Sequence, residues 1–392
     1  MHICHVISVP FPPEEGIGRY VYGLSIKLIE KGHKVTVITR RQSGTRQREV
    51  VDGIEVFRAP FFPIYPFYIK LHGLFVNRIF KSLEKQIDIV HIHTPLPPLI
   101  KTSLPIITTI HSPMLSDIRH SNVKSLYSLF SKISAKYVSY PLELDIIQSS
   151  KMVTAVSKSI AQELKEYYLN PENIIIVYNG VDEKFFYPKK EKEENGKKYV
   201  MFVGRIDREK GLFDLVECGR YVCDERSDIS FIVAGNGRDL NKLSYKIKRM
   251  GLQDRFIFLG QVDKDKLVKL YQNSTLFVFP SYHEGLPGVI LEAMSCGLPI
   301  IATDVRGNRD LISVGKNGIL VPPGSPKKIA EAIITLIEDD KLKERLGKNA
   351  RETIEDRYTW NAISNTFLKC YESLARVNHE HLYDYNMSQT IN

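Results

Sequence analysis

Short apolar runs recur along the chain, and most are followed by a turn and then by a stretch with apolar residues three and four apart. This alternation of strand-like and helix-like periods predicts an α/β protein built on parallel sheets. The first cycle shows the pattern. Ile3-Cys-His-Val-Ile-Ser8 reads as a buried strand, and Pro10 to Glu15 is a proline-rich loop. Gly16-Ile-Gly18-Arg19 then opens a helix in which Tyr20, Leu24, Leu28 and Ile29 share one face. Gly32-His33 ends the helix, and Lys34-Val-Thr-Val-Ile-Thr39 is the second strand. A glycine loop after the first strand of a βαβ unit is the layout of a doubly wound domain.

Further strands are expected at Val56–Arg58, Ile89–His93, Ile106–Ile110, Met152–Val156 and Ile174–Val177, and residues 123–150 carry a helical pattern. Ser157 is a good N-cap for a helix through Tyr167. Pro188 to Lys198 is charged and lacks aliphatic residues, so it reads as a linker. A second α/β series follows. Its strands are expected at Tyr199–Val203, Ile229–Ala234, Phe256–Leu259, Leu276–Phe279, Pro299–Ala302 and Gly318–Val321, with helical patterns between them. The expected organisation is therefore a domain over 1–187, a linker over 188–198, a second domain over 199–355, a terminal helix over 356–376 and a mobile tail over 377–392. Two Rossmann-like halves would face each other across a cleft.

Composition narrows the class. The chain has 392 residues, 43% hydrophobic and 25% charged, enough for sizeable cores. The net charge is +9, yet no block of basic residues and no zinc-finger spacing occurs, which disfavours nucleic acid as a partner. Five scattered cysteines make a disulfide framework unexpected and suggest a reducing compartment, hence the cytoplasm. The first residues lead into a strand-like run without a signal-peptide pattern, and no apolar run approaches membrane-spanning length.

Candidate chemistry centres on Glu284-Gly-Leu-Pro-Gly-Val-Ile-Leu-Glu292, between a buried strand and a helix. Glu284 would sit in the loop and Glu292 inside the helix. The N–H groups of Gly285, Leu286, Gly288 and Val289 would offer an anion site at the helix start. Glu292 as a solvated residue and Glu284 as a helix cap are the plainer alternatives. Gly204-Arg205-Ile-Asp-Arg-Glu-Lys210-Gly211 follows another strand. A guanidinium fork and a point ammonium in one loop suit phosphate oxygens. Gly235-Asn236-Gly237 and Gly260-Gln-Val262 close two more strands and are weaker signals. Gly16 and Gly18 form an incomplete dinucleotide fingerprint: position 21 is Val, and no acidic residue ends the second strand. A nicotinamide cofactor is thus disfavoured. His111 ends a strand and would face a crevice; His91 and His93 share one strand face, where either could be core.

Together these motifs resemble glycosyltransferase family 4, retaining enzymes with the GT-B fold. The resemblance runs from the Gly16–Gly18 loop to Tyr358-Thr-Trp360, and Val156-Ser157 and Asn179-Gly-Val-Asp182 sit where the family has like elements. It implies that Arg205 and Lys210 bind the diphosphate of a nucleotide-sugar donor and that Glu284 contacts the donor sugar. It implies support from the backbone of Gly204, Gly285, Leu286, Pro287 and Gly288, and contact of Glu292 with the ribose. Asn236 and Val262 would lie beside the nucleotide. Gly16 and Gly18 would approach from the first half, and His111 would lie near the transferred sugar, although Ser112 stands where the family often has aspartate. The last helix would cross back to the first domain. The implied reaction is transfer of a hexose-type sugar from a UDP- or GDP-sugar with retention, using no cofactor and no metal.

Residues 60–86 interleave Phe61, Phe62, Tyr65, Phe67, Tyr68, Phe75 and Phe80 with Lys70, Arg78, Lys81 and Lys85. That mixture suits an anionic membrane surface or a lipid-linked glycan acceptor, and with it peripheral placement on the inner face of the cell membrane. A buried helix with a solvated basic face is the competing reading. A nucleotide-sugar epimerase, a phosphorylase and a non-catalytic sugar-nucleotide-binding protein are the functional alternatives.

Overall fold

The computed structural model describes residues 1–12, 16–64, 67–120, 130, 132–168, 174–189 and 196–389. Its strands form two sheets. The first contains β1 (His2–Val6), β2 (Lys34–Arg40), β3 (Arg48–Val51), β4 (Ile54–Ala59), β5 (Ile89–Thr94), β6 (Ile106–Ile110), β7 (Met152–Ala155) and β8 (Ile174–Ile176). Their spatial order is β3-β4-β2-β1-β5-β6-β7-β8. All pairs are parallel except β3 with β4. The second sheet contains β9 (Lys198–Val203), β10 (Ile229–Ala234), β11 (Phe256–Gly260), β12 (Leu276–Phe279), β13 (Ile300–Thr303) and β14 (Ile319–Val321). It is wholly parallel, in the order β11-β10-β9-β12-β13-β14.

Every residue of β1, β5, β6, β12 and β13 is buried. Parallel strands covered on both faces are mostly apolar, which is why these runs stand out in the sequence, and the polar residues they do carry, such as His5, His91 and His93, are buried with them. In the first sheet the winding goes from β1 out to β3 and β4, then restarts at β5 and proceeds the other way. In the second it goes from β9 to β11, then restarts at β12. Each sheet thus has one switch point, β1/β5 and β9/β12, where loops at the carboxyl ends of adjacent strands diverge and leave a crevice.

Strand β3 was absent from the sequence expectation. It is short and only half-buried, and it pairs with β4 through a tight turn at Asp52 and Gly53, both with positive φ (50° and 83°). An Asp-Gly pair of this conformation is a hairpin signal. Arg58, buried on β4, donates to the carbonyl oxygens of Phe11 (2.6 Å) and Arg46 (3.0 Å) and pairs with Glu49. It ties the loop after β1 to the hairpin.

The chain divides into two compact units, one of residues 1–179 with 360–392 and one of residues 180–359. This corrects the expected boundary at 187. Ser295 Oγ donates to the Phe186 carbonyl oxygen at 2.6 Å, Arg351 Nη1 donates to the carbonyls of Glu183 and Phe186, and the Phe186 ring meets Tyr271 at 6.0 Å. Residues 180–187 therefore pack as part of the second unit. The charged stretch 188–198 lies within that unit's span rather than between the units, and its residues 190–195 fall outside those described. The expected helix over 123–150 falls partly outside them as well; its described end is the helix Tyr140–Ser149.

The terminal helix Trp360–Gln389 belongs to the first unit and continues past the expected end at 376, since no glycine or proline interrupts it. Its first residue docks on the helix Gly16–Glu30 at Gly23, where a Cβ would come within 2.2 Å of the Trp360 ring. Tyr20 meets that ring edge-on at 5.4 Å. Gly23→Ala must push the indole away, and overpacking of this kind costs about 1–3 kcal/mol. Trp360 is the chain's one tryptophan, so its fluorescence reports the change directly. We expect a red-shifted emission and a lower urea midpoint in the variant; an unchanged spectrum would mean that the contact is not tight.

Candidate functional site

At the switch point of the second sheet, the loop leaving β9 meets the loop leaving β12. Gly204 follows β9 with φ 154°, and Asp207 then caps a short turn, its carboxylate accepting from the Lys210 N–H at 3.2 Å. Gly211 follows in the left-handed region, with φ 70°. A Cβ there would lie 1.9 Å from the Pro280 carbonyl oxygen, so only glycine lets this turn press against the end of β12. The two loops are further stitched by the Tyr282 N–H, which donates to the Glu209 oxygen at 2.8 Å.

This approach brings Lys210 Nζ to 2.5 Å from Glu284 Oε1, with both side chains largely buried. Ser281 Oγ donates to the same oxygen at 2.6 Å. Glu284 Oε2 has no partner among the described residues. Arg306 Nε donates to the Glu284 carbonyl oxygen at 2.8 Å, and Arg306 also meets His283. A Cβ on Gly307 would fall 2.2 Å from the Gly285 oxygen, so the loop after β13 packs directly on the Glu284 loop.

The helix Gly288–Ser295 begins with no side-chain cap. Pro287 fixes its entry, Leu286 is buried behind it, and Gly288 is exposed with open space around any added Cβ. An uncapped helix start carries partial positive charge and orphan N–H groups. Glu292 lies just over one turn into the helix, buried, and accepts from the Tyr271 hydroxyl at 3.0 Å.

The turns after β9 and β10 interlock. A Cβ on Gly235 would sit 2.0 Å from the Gly204 oxygen, and one on Gly237 2.3 Å from the Ile206 oxygen. The Ile206 N–H donates to the Asn236 oxygen at 2.9 Å, and the Gly235 N–H to the Gly260 oxygen at 2.7 Å. Asn236 Oδ1 accepts from the Gly237 N–H at 2.8 Å. Val262 follows Gly260 in the third loop of the row. All of these positions therefore line the carboxyl edge of one sheet.

Arg205 lies in the loop region it was expected to share with Lys210. It shares the Lys210 turn but is well exposed, 3.6 Å from Asp207, and touches neither Lys210 nor Glu284. Ser281, Arg306, Asp207 and Tyr271 were not singled out in the sequence. The spacing of Asp207 to Lys210 is a legible capping signal. The others act across gaps in the chain that no local pattern encodes.

In the first unit, Gly16 opens its helix with φ 57° and open space at its Cβ position, while Gly18 is buried. His111 follows β6 and belongs to a row of imidazoles at the β1/β5 switch point. His5 Nδ1 lies 3.0 Å from His93 Nε2, and His93 Nδ1 lies 3.3 Å from His111 Nε2. His91 stacks on His93 at 4.1 Å between ring centroids and engages Tyr371 Oη and Thr109 Oγ1, each at 2.7 Å. Ligand atoms of His5, His91 and His93 lie within 4.8 Å of one another. They are close enough to hold a metal, but the nitrogens are already engaged as described or, for His5 Nε2, buried without a partner.

The site's sequence relationships follow its geometry. Residues 15–185 match the family model for glycosyltransferase family 4, and residues 183–353 match that for glycosyl transferases group 1. The chain belongs to the family 4 glycosyltransferases. Its relatives include an uncharacterized glycosyltransferase of Methanocaldococcus jannaschii, 26% identical over 94% of this chain and 97% of that protein. Among solved structures, sucrose-phosphate synthase from Thermosynechococcus elongatus aligns with a TM-score of 0.82 at 21% identity, covering 96% of this chain and 99% of that one. HepE of Anabaena, solved in complex with UDP and glucose, aligns at 0.72 and 18% identity over 95% and 100%. The fold of this glycosyltransferase is GT-B.

Two predictions follow from this geometry. Gly211→Ala forces a left-handed alanine into a backbone collision; the strain alone costs about 1–3 kcal/mol. Differential scanning calorimetry should show a clear loss in melting temperature, and an unchanged value would refute the close approach of the two loops. The second concerns pH. Burial lowers His5 and His111 to about 3 and holds His91 and His93 well below the ordinary histidine range. Above the unfolded value, about 6.5, both states are neutral and stability is full. Below it the unfolded chain binds protons that the folded chain refuses, so stability falls as pH drops from about 6.5 toward 3. The urea midpoint should be lower at about pH 5 than at about pH 7.5, whereas equal midpoints would contradict neutral buried histidines.

Proposed function

We propose that this glycosyltransferase moves a hexose-type sugar from a nucleotide-diphosphate sugar to a hydroxyl acceptor with retention of configuration, and without a metal. The observation that carries the reading is the Lys210–Glu284 pair at the β9/β12 switch point, beside an uncapped helix start. A departing nucleoside diphosphate needs positive charge and N–H donors around its phosphates. Lys210, Arg205 and the backbone of Gly204 and Gly285 to Gly288 supply them. Lys210 also holds Glu284 Oε1, which leaves Oε2 to accept from sugar hydroxyls. Glu292 accepts from the ribose, and Asn236 and Val262 line the nucleotide end. HepE's complex with UDP and glucose supports a UDP-sugar as the first donor to test. For His111, Gly16 and Gly18, the proposed ligand roles rest on the family resemblance alone.

The acceptor side is read from the helix Tyr68–Leu83. Ile69, His72, Gly73, Val76 and Phe80 face the core. The opposite face exposes Lys70, Leu74, Arg78 and Lys81, and Phe62, Ile64 and Phe67 lie exposed just before the helix. The competing expectation, a buried helix with a solvated basic face, thus describes half of the element. Leu74 is 68% exposed and Phe67 62% exposed, so the outer face is not simply a charged surface. An open hollow of about 660 Å³ is lined by Leu74, Asn77, Arg78, Lys81, Ser82 and Lys101. Apolar tips among cations fit the headgroup layer of an anionic membrane. We assign this face to peripheral contact on the inner leaflet and to a lipid-linked acceptor for an envelope glycan. No described helix is long and apolar enough to cross a membrane.

Transfer assays with a panel of UDP- and GDP-sugars, with lipid-linked and soluble acceptors, test the reaction. Lys210→Ala and Glu284→Ala should each lower turnover about 10²- to 10³-fold. Intact transfer in both variants would sink the site assignment. Products should keep the donor's anomeric configuration, and activity should survive a chelator. Separately, the protein should pellet with anionic vesicles at low salt, and Leu74→Glu with Phe67→Glu should abolish this. Equal pelleting with zwitterionic vesicles, or none with anionic ones, would contradict the membrane assignment.

A further inference from the structure

The row His5, His93, His111 has one property that the donor site does not use. Its imidazoles are wired nitrogen to nitrogen, so the position of one proton fixes the others. Burial keeps the three rings neutral, each with one N–H and one lone pair. Two arrangements satisfy both contacts. In the first, His93 donates from Nε2 to His5 Nδ1 and accepts at Nδ1 from His111; His5 must then carry its proton on Nε2. In the second, His5 donates from Nδ1, His93 donates from Nδ1 to His111 Nε2, and His111 carries its proton on Nδ1.

His5 Nε2 decides between them, because it is buried with no hydrogen-bond partner. The first arrangement leaves an orphaned buried N–H there. The second leaves only an unused lone pair. Among backbone groups, orphaned buried N–H donors are rarer than under-satisfied acceptors; the same cost, carried over to an imidazole, favours the second arrangement. The surroundings do not oppose it. His91 contacts the row by stacking, and its nitrogens face the hydroxyls of Tyr371 and Thr109, which can serve either tautomer. Tyr20 meets the His93 and His111 rings edge-on, at 5.7 and 4.7 Å.

We propose that His5 and His93 are positioning residues that fix the proton of His111 on Nδ1, making this half-buried histidine a hydrogen-bond donor. Among the described residues its Nδ1 has no partner. It therefore presents an N–H to an oxygen lone pair of a ligand and does not accept from a ligand hydroxyl. The tautomer stands independently of the transferase reading; only its consequence for a sugar or phosphate oxygen rests on that reading.

Nitrogen-detected NMR of the full chain with ¹⁵N-labelled histidine tests this without substrate. His111 signals are assigned by their loss in His111→Gln. The wild type should show His111 protonated at Nδ1, with a coupling through the hydrogen bond between His93 Nδ1 and His111 Nε2. His93→Phe removes the donor, and the His111 proton should shift toward Nε2. His93→Asn can place an amide N–H where His93 Nδ1 stood, and should restore the Nδ1 form. A merely structural role for His93 would not move the tautomer this way. Protonation of wild-type His111 at Nε2 overturns the proposal, as does a tautomer that His93→Phe leaves unchanged. If His93→Phe fails to fold, the wild-type spectrum and His93→Asn still decide it. A fixed Nδ1–H in a protein without transferase activity would refute the proposed function while leaving this inference intact.

Discussion

The second unit's site depends on how close two backbone turns can come at the point where the sheet reverses its winding. The turn after β9 and the loop after β12 touch only because Gly211 has no Cβ to strike the Pro280 oxygen. That contact delivers Lys210 to Glu284. The pair is largely buried, and removing either partner of a buried pair leaves the other charge uncompensated, which costs more than the pair's net contribution. Ser281 and Arg306 then hold the side chain and the backbone of Glu284. The geometry is thus set by backbone fit first and by charge second. Such order suits a site that must keep cations and N–H groups in place before an anion arrives.

The first unit uses its own switch point differently. Where the second unit places unlike charges, the first places neutral imidazoles on β1, β5 and after β6. Burial keeps them uncharged, so their contribution is directional rather than coulombic. Both arrangements follow from parallel strands ending on a common edge beside a reversal of order. The fold supplies the place, and the side chains determine what is done there.

Much of this was legible in the sequence for a physical reason. Parallel strands buried on both faces are rich in aliphatic residues, so β1, β5, β12 and β13 stood out even with histidines among them. Lys210 and Glu284 stood out because charged side chains beside glycines at strand ends are unusual, and Glu292 because it pairs with Glu284 across one strand–loop–helix stretch. What stayed hidden is non-local. Nothing near Glu284 points to Arg306, and nothing near Glu292 points to Tyr271. The unit boundary was misplaced because charge at 188–198 is visible, whereas the packing of Phe186 on Tyr271 is not. Arg205 and Lys210 were read as sharing one loop region, and four residues of turn separate them, so Arg205 stays exposed beside Asp207 while Lys210 turns inward to Glu284. The histidine row went unread, with His5 not singled out and His93 and His111 weighed separately, because the three meet only through the strand order.

In the proposed donor pose, Lys210 faces the diphosphate while Glu284 faces the sugar. Calorimetric titration of wild type, Lys210→Ala and Glu284→Gln with a nucleoside diphosphate and with the matching nucleotide-sugar tests it most directly. Lys210→Ala should weaken both ligands, whereas Glu284→Gln should weaken the nucleotide-sugar and spare the diphosphate. Equal losses for both ligands in Glu284→Gln, or unchanged binding in Lys210→Ala, would contradict it.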